Sequence, residues 1–135
     1  MSSNLFDKTT DALSTALKMR QMRHNVTSSN IANAETPHYH AKKLDFENAL
    51  ANALDMDGMN GLATSSTEHF ALGSKPAVSP ELYENPDVAV SNDGNTVDLE
   101  KEMSSLAENS IMYKAALQLI NKKMAALKYA ISESR

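Results

Sequence analysis

The feature that most constrains this chain is the position of its glycines and prolines. All four glycines and all four prolines lie between residues 37 and 94. Because these residues are the strongest helix breakers, long helices are confined to the stretches before and after that segment. The pattern predicts a mainly α protein in which two terminal helices pair as a coiled-coil-like hairpin, with an irregular middle. At 135 residues the chain is expected to form one domain.

Charge divides the chain at nearly the same positions. Residues 1–33 carry four bases and two acids, and residues 98–135 carry six bases and five acids. The middle, residues 34–97, carries three bases and ten acids. We therefore divide the domain into an N-terminal helix with its turn (1–36), an irregular acidic middle (37–97) and a C-terminal helix (98–135).

Composition argues against several classes of function. The chain has no cysteine, which removes disulfides, thiolate catalysis and cysteine-based metal sites. Its net charge of −4 argues against general nucleic-acid binding. No apolar run approaches 18 residues, so no membrane insertion is expected. The N-terminus also lacks the basic and apolar regions of a cleaved secretory signal.

The C-terminal stretch has the strongest periodicity in the sequence. Apolar residues recur there at alternating steps of four and three, interrupted only by Ser110. This spacing favours a supercoiled contact between helices, and Asp98 is predicted to cap the first turn. We name these positions the heptad line, which consists of Leu99, Met103, Leu106, Tyr113, Leu117, Ile120, Met124, Leu127 and Ile131.

The rest of the chain gives weaker signals. A stripe of small and flexible apolar residues predicts an N-terminal helix that ends shortly before Pro37. Asp45 is predicted to cap a short helix that begins at Phe46, and short strands are predicted at residues 69–72 and 88–90. Two long helices that bury one face each leave much apolar surface in water, which indicates a protein completed by assembly.

Metal binding and catalysis find little support. His38 and His40 form an H-x-H pair, but the sequence places no further ligands beside them, and exposed loop histidines are the simpler interpretation. The chain lacks a G-x-S-x-G motif, a glycine-rich phosphate loop and a paired-carboxylate spacing. We therefore expect neither an enzyme nor a bound cofactor.

The segment at residues 29–39 has a more specific pattern. Asn30 and Asn33 supply amides that can satisfy neighbouring backbone groups, while the small Ala32 permits close approach of another helix. Pro37 then turns the chain out of the helix. The candidate assembly residues in this segment are Ser29, Asn30, Ile31, Ala32, Asn33, Thr36, Pro37 and Tyr39.

This segment, SNIANAETPHY, closely resembles the signature S-N-[LI]-A-N-x-x-T-P-G-Y of flagellar rod, hook and hook-associated axial proteins. The resemblance extends to Leu44-Asp45-Phe46, to DGNTVDLEKEM at residues 93–103, and to residues 107–113. His38 stands where the signature has glycine. Glycine would allow a positive φ there without steric cost, whereas histidine adopts it at a cost.

The resemblance implies a structural subunit of the flagellar basal-body rod, in its proximal part, which spans the periplasm. It also implies export through the flagellar type III apparatus without a cleaved signal. The implied partners are other copies of the chain, other rod proteins, and the adaptor and ring proteins at the base of the rod. The alternative is a soluble cytoplasmic coiled-coil adaptor or export chaperone-like hairpin, which should form a stable small oligomer alone. A small metal-dependent enzyme, the third possibility, would carry zinc after purification.

Overall fold

The computed structural model describes residues 8–54, 81–86 and 89–133. Both predicted long helices are present, and the protein is mainly α, as predicted. A short helix and two short strands lie between them. In chain order the elements are α1 (Lys8–Ala32), β1 (Lys42–Leu44), α2 (Phe46–Leu54), β2 (Leu82–Glu84) and α3 (Leu99–Glu133).

Helices α1 and α3 pack against each other in opposite directions. Near the middle of α1, the Arg20 guanidinium donates to the Asn109 side-chain oxygen at 3.4 Å, and the Asn109 amide donates to the Arg20 carbonyl at 2.8 Å. Near the end of α1, the Asn30 side chain lies close enough to Glu102 to lower the pKa of its carboxylate. Because α1 positions rise as their α3 partners fall, the two helices form an antiparallel hairpin.

The heptad line is divided within the single subunit. Leu106, Tyr113, Ile120 and Leu127 are half-buried, as are Ser110 and Met124. Exposed members of the line are Leu99, Met103, Leu117 and Ile131.

The face of α3 that packs on α1 is rotated from the predicted one. The half-buried residues of α3 include, besides those of the heptad line, Glu102, Ala116 and Lys123, and Asn109 is buried; each of these four stands one position before a step of the heptad spacing. The polar contact between Asn109 and the Arg20 backbone explains this rotation, because it draws Asn109 instead of Ser110 toward α1. Asn109 is 3% exposed, and both polar groups of its side chain are bonded to Arg20.

The hydrophobic core is small and lies where α2 crosses α1. Its buried members are Met19, Phe46 and Ala49, with Met22 and Leu50 packed against them. Both predicted helix caps are confirmed. Asp45 accepts from the Asn48 amide at 3.4 Å at the start of α2, and Asp98 accepts from the Lys101 amide at 3.1 Å at the start of α3.

The strands lie at positions that the sequence analysis did not predict. β1 and β2 pair antiparallel, with Lys43 opposite Tyr83. The segment 69–72 lies outside the described residues, and so does Val88; Ala89 and Val90 are irregular, so the strand prediction there was wrong. Three-residue strands are defined by their partners more than by propensity. None of the helices within the described ranges is long and apolar enough to cross a membrane.

Candidate functional site

The candidate site is the turn that ends α1. Its first contacts are local: the Asn33 amide group donates to the Ser29 carbonyl at 2.8 Å, and the Thr36 hydroxyl donates to the Asn33 side-chain oxygen at 3.1 Å. The Thr36 backbone N–H also donates to the Asn33 carbonyl. The Ser29 carbonyl also accepts from the Asn33 backbone N–H, so Asn33 bonds it twice and links it through Thr36 to the turn that follows the helix.

Asn30 joins the helix to β1. Its amide donates to the Lys42 carbonyl at 2.8 Å, and its side-chain oxygen accepts from the Lys42 N–H at 3.0 Å. The same oxygen accepts from the Tyr39 hydroxyl at 3.1 Å. Lys42 turns both backbone groups away from β2 and toward Asn30, so this side chain occupies the outer edge of β1. Asn30 is 1% exposed, and such a buried amide is stable only when its groups are paired.

A second asparagine holds the turn from far along the chain. The Asn95 amide donates to the carbonyls of Asn33 at 2.9 Å and of Thr36 at 2.8 Å. Its side-chain oxygen accepts from the Val97 N–H at 2.8 Å. Asn95 therefore provides hydrogen bonds to two carbonyls of the turn that follows α1, while it fixes the segment that leads into α3. We name this contact the Asn95 clamp.

The neighbouring Thr96 completes the clamp. Its hydroxyl accepts from the Ala41 N–H at 2.8 Å, and its backbone N–H donates to the Tyr39 carbonyl at 3.0 Å. Both Asn95 and Thr96 are buried. Ala41 is buried as well, so the contact between Ala41 and Thr96 is shielded from solvent.

His38 adopts a left-handed backbone conformation although it stands where the signature has glycine. His38 has a φ of 60°, the left-handed region that favours glycine. Its N–H donates to the Asp93 carbonyl at 3.0 Å. Gly94 opposite has a φ of 79°, and a Cβ there would come within 2.6 Å of the His38 ring nitrogen Nδ1. Two residues with left-handed backbone conformation, His38 and Gly94, are thus in direct contact beside the Asn95 clamp.

The predicted site residues separate into two groups. Asn30, Asn33, Thr36 and Tyr39 hold the turn through hydrogen bonds within the subunit. Ser29, Ala32 and Pro37 are exposed, and Ile31 is half-buried. Sequence reasoning did not select Asn95 and Thr96 as site residues. The one signal in the sequence is the resemblance of residues 93–103 to the flagellar axial proteins, and this resemblance does not single out either residue.

Charged groups surround the contact between α1 and α3. Burial raises the pKa of Glu102, an effect that the nearby Asn30 side chain partly offsets. Burial, together with the nearby Arg23 cation, lowers the pKa of Arg20. Among residues in the described ranges, no three His, Asp or Glu side chains converge as metal ligands would. The site is a set of packing and hydrogen-bonding contacts.

Comparison with known proteins identifies the family. A family model described as "Flagella basal body rod protein" matches residues 11–39, which include the turn. Relatives named "Flagellar basal body rod protein FlgB" occur in Cereibacter sphaeroides (43% identical, covering 86% of this chain and 88% of the relative) and Aeromonas hydrophila (42%, covering 93% and 94%). The Bacillus subtilis protein of that name is 32% identical, covering 96% and 97%. These matches extend through α1, the Asn95 clamp and α3, and the chain therefore belongs to the FlgB family of flagellar basal body rod proteins.

Proposed function

We propose that this chain is a structural subunit of the flagellar basal-body rod, in its proximal part, where it transmits torque by packing. The observation that carries this proposal is the similarity to FlgB proteins over nearly the full length of both chains. The second support is physical. Many large apolar side chains of α3 are exposed in the single subunit. A helix that is apolar on several sides is typical of a helix that is buried in an assembly.

The proposed partners are other rod proteins, further copies of this chain, and the adaptor and ring proteins at the base of the rod. The flagellar type III apparatus would export the subunit to the periplasm-spanning rod. This role requires neither substrate turnover nor a cofactor, because a rod subunit works through shape and contact.

The test is electron microscopy of purified basal bodies. Cells that lack this chain are expected to be non-motile and to form no complete rod, and a plasmid copy should restore both. Density for the chain in the rod of complemented cells would establish its place directly. A chain that is absent from basal bodies and remains in the cytoplasm as a stable small oligomer would favour the adaptor or chaperone alternative and overturn the proposal.

A further inference from the structure

A cleft between α1, β1 and α3 collects positive charge in a chain that is acidic overall. Its volume is about 310 Å³, and its walls include both side chains of the Lys42–Lys43 pair in β1. We name it the cationic cleft, and its basic residues are Arg20, Arg23, Lys42, Lys43 and Lys101. The carboxylates in its walls are Glu102 and Glu108. The lining therefore has an excess of three positive charges.

Most of these cations lack an ionic partner among the residues that the structure describes. Lys101 lies 3.7 Å from the Asp98 carboxylate. In the described ranges, Arg20, Arg23, Lys42 and Lys43 have no carboxylate oxygen within 4.0 Å. A single unpaired cation is common on a protein surface, whereas four in one cleft create a positive local potential.

The two arginines are held in place instead of moving freely in solvent. The Arg20 and Arg23 guanidinium carbons lie 5.0 Å and 4.7 Å from the centre of the Phe46 ring. Phe46 is buried, so the ring fixes both cations near each other. Burial and the neighbouring Arg23 cation lower the pKa of Arg20, and the Glu108 carboxylate offsets this effect only in part. The cleft is thus prepared for a negatively charged group.

We propose that the cationic cleft binds carboxylates from the acidic middle segment, residues 34–97, of a neighbouring copy of this chain. The inference rests on the proposed function, since it requires copies that are adjacent in an assembly. Charge complementarity supports this occupant: that segment carries ten acids and three bases. Glu35, Glu47 and Glu81 of this segment are exposed and can reach a neighbour.

A second copy fits the charge distribution better than an extended polyanion does. The whole chain carries a net charge of −4, so a long nucleic acid would be repelled by most of the surface that surrounds the cleft. A single acidic segment needs only the cleft itself. In an assembly built from repeated contacts, each copy also presents the cleft to one neighbour and the acidic segment to another.

The test is carbodiimide crosslinking of purified basal bodies, because this reagent joins a lysine amine directly to a carboxylate that is in ionic contact. We expect a crosslinked product of twice the subunit mass, in which mass spectrometry finds Lys42 or Lys43 joined to an acid within residues 34–97. The matched control is Lys43→Arg together with Lys42→Arg, which keeps both charges but offers no amine. It should assemble normally and lose this product.

A charge-reversal variant gives the complementary result. In the double variant Arg23→Glu with Lys43→Glu, we expect the yield of dimer crosslinked through the remaining Lys42 to fall at least tenfold. Lys122 is an exposed lysine of α3 outside the cleft, and Lys122→Glu should leave that yield unchanged. Links confined to one copy, links to a different protein, or no link at all from basal bodies that contain the chain would overturn the inference and leave the proposed function standing. A chain absent from basal bodies would overturn the proposed function itself.

Discussion

At the scale of single residues, Asn30 is the side chain on which the turn most depends. Changing Asn30→Ala leaves the Lys42 N–H and carbonyl and the Tyr39 hydroxyl without their partner in a buried site. An unpaired buried group costs about 1–3 kcal/mol. We expect the Lys42 amide of the variant to exchange its hydrogen about tenfold faster or more, as measured by NMR. Asn25→Ala, at an exposed position of the same helix, is the control and should leave that rate unchanged.

The paired left-handed residues His38 and Gly94 allow a second test. Gly94→Ala introduces a Cβ at a φ of 79° and 2.6 Å from the His38 ring, so it should destabilise the subunit by about 1–3 kcal/mol in urea unfolding. His38→Gly relieves left-handed strain and should stabilise it by up to about 1 kcal/mol. The double variant should lose less than the two single effects predict, because the ring that clashes is gone. Strict additivity would contradict the contact.

The residues that the sequence could predict are those whose partners are near in the chain. Asn33 bonds Ser29 within one helical turn, so its role follows from the signature alone. Asn95 bonds Asn33 across 62 positions, and no local pattern reports such a contact. The same limit applies to His38: the sequence indicated only that a positive φ is costly for histidine, and it did not indicate the contact with Gly94.

At the scale of elements, the half-buried carboxylate of Glu102 makes the hairpin sensitive to pH. A raised pKa means that the folded chain binds a proton more readily than the unfolded chain does. Through this group, stability should therefore increase as pH falls through the folded pKa toward the ordinary value of 4.5. Glu102→Gln should be modestly more stable than the parent in urea at pH 7, and the difference should narrow at pH 5. If the stability difference between Glu102→Gln and the parent were larger at pH 5 than at pH 7, the pKa of Glu102 would not be raised in the folded chain, and the prediction would be wrong.

The division of the heptad line allows folding and assembly to be tested separately. Leu117 is exposed in the subunit, whereas Ile120 is half-buried on the side facing α1. Leu117→Asp should therefore keep the helix content of the isolated subunit, measured by circular dichroism, while rod assembly and motility are lost and export is retained. Ile120→Asp should reduce helix content as well, because an unpaired buried charge costs several kcal/mol. Cells with Leu117→Asp that swim normally would exclude the heptad line as an assembly contact.

The helices and their caps were predictable because helix breakers, heptad spacing and capping acids are properties of the chain itself. The rotation of α3 was not, because it depends on a polar contact between Asn109 and the backbone of Arg20 on another helix. The strands were missed for a related reason. β1 is a polar segment whose edge is completed by the Asn30 side chain, so its position follows from packing and has no hydrophobic alternation to report it.

At the scale of the whole molecule, the subunit directs some signature residues inward and leaves others at its surface. The turn uses the side-chain amides of Asn30, Asn33 and Asn95 for hydrogen bonds within the subunit. Ala32 is exposed beside them. Since the turn is closed by contacts within one chain, its exposed small residue is available for contact between subunits. The signature therefore combines a role in folding with a proposed role in assembly. A substitution at Ala32 tests the assembly role without disturbing the hydrogen bonds that close the turn.

Ala32→Leu should leave the subunit folded and impair the rod. In the single chain the added bulk points to an exposed position and should change unfolding by no more than about 0.5 kcal/mol. In a close-packed contact between subunits, overpacking costs about 1–3 kcal/mol, and the cost recurs in every copy. We expect unchanged urea unfolding together with weak or absent motility, while Asp57→Asn in the acidic middle, outside the described residues, should swim normally. A motile Ala32→Leu strain beside a non-motile Asp57→Asn strain would instead place the essential contact in the middle segment.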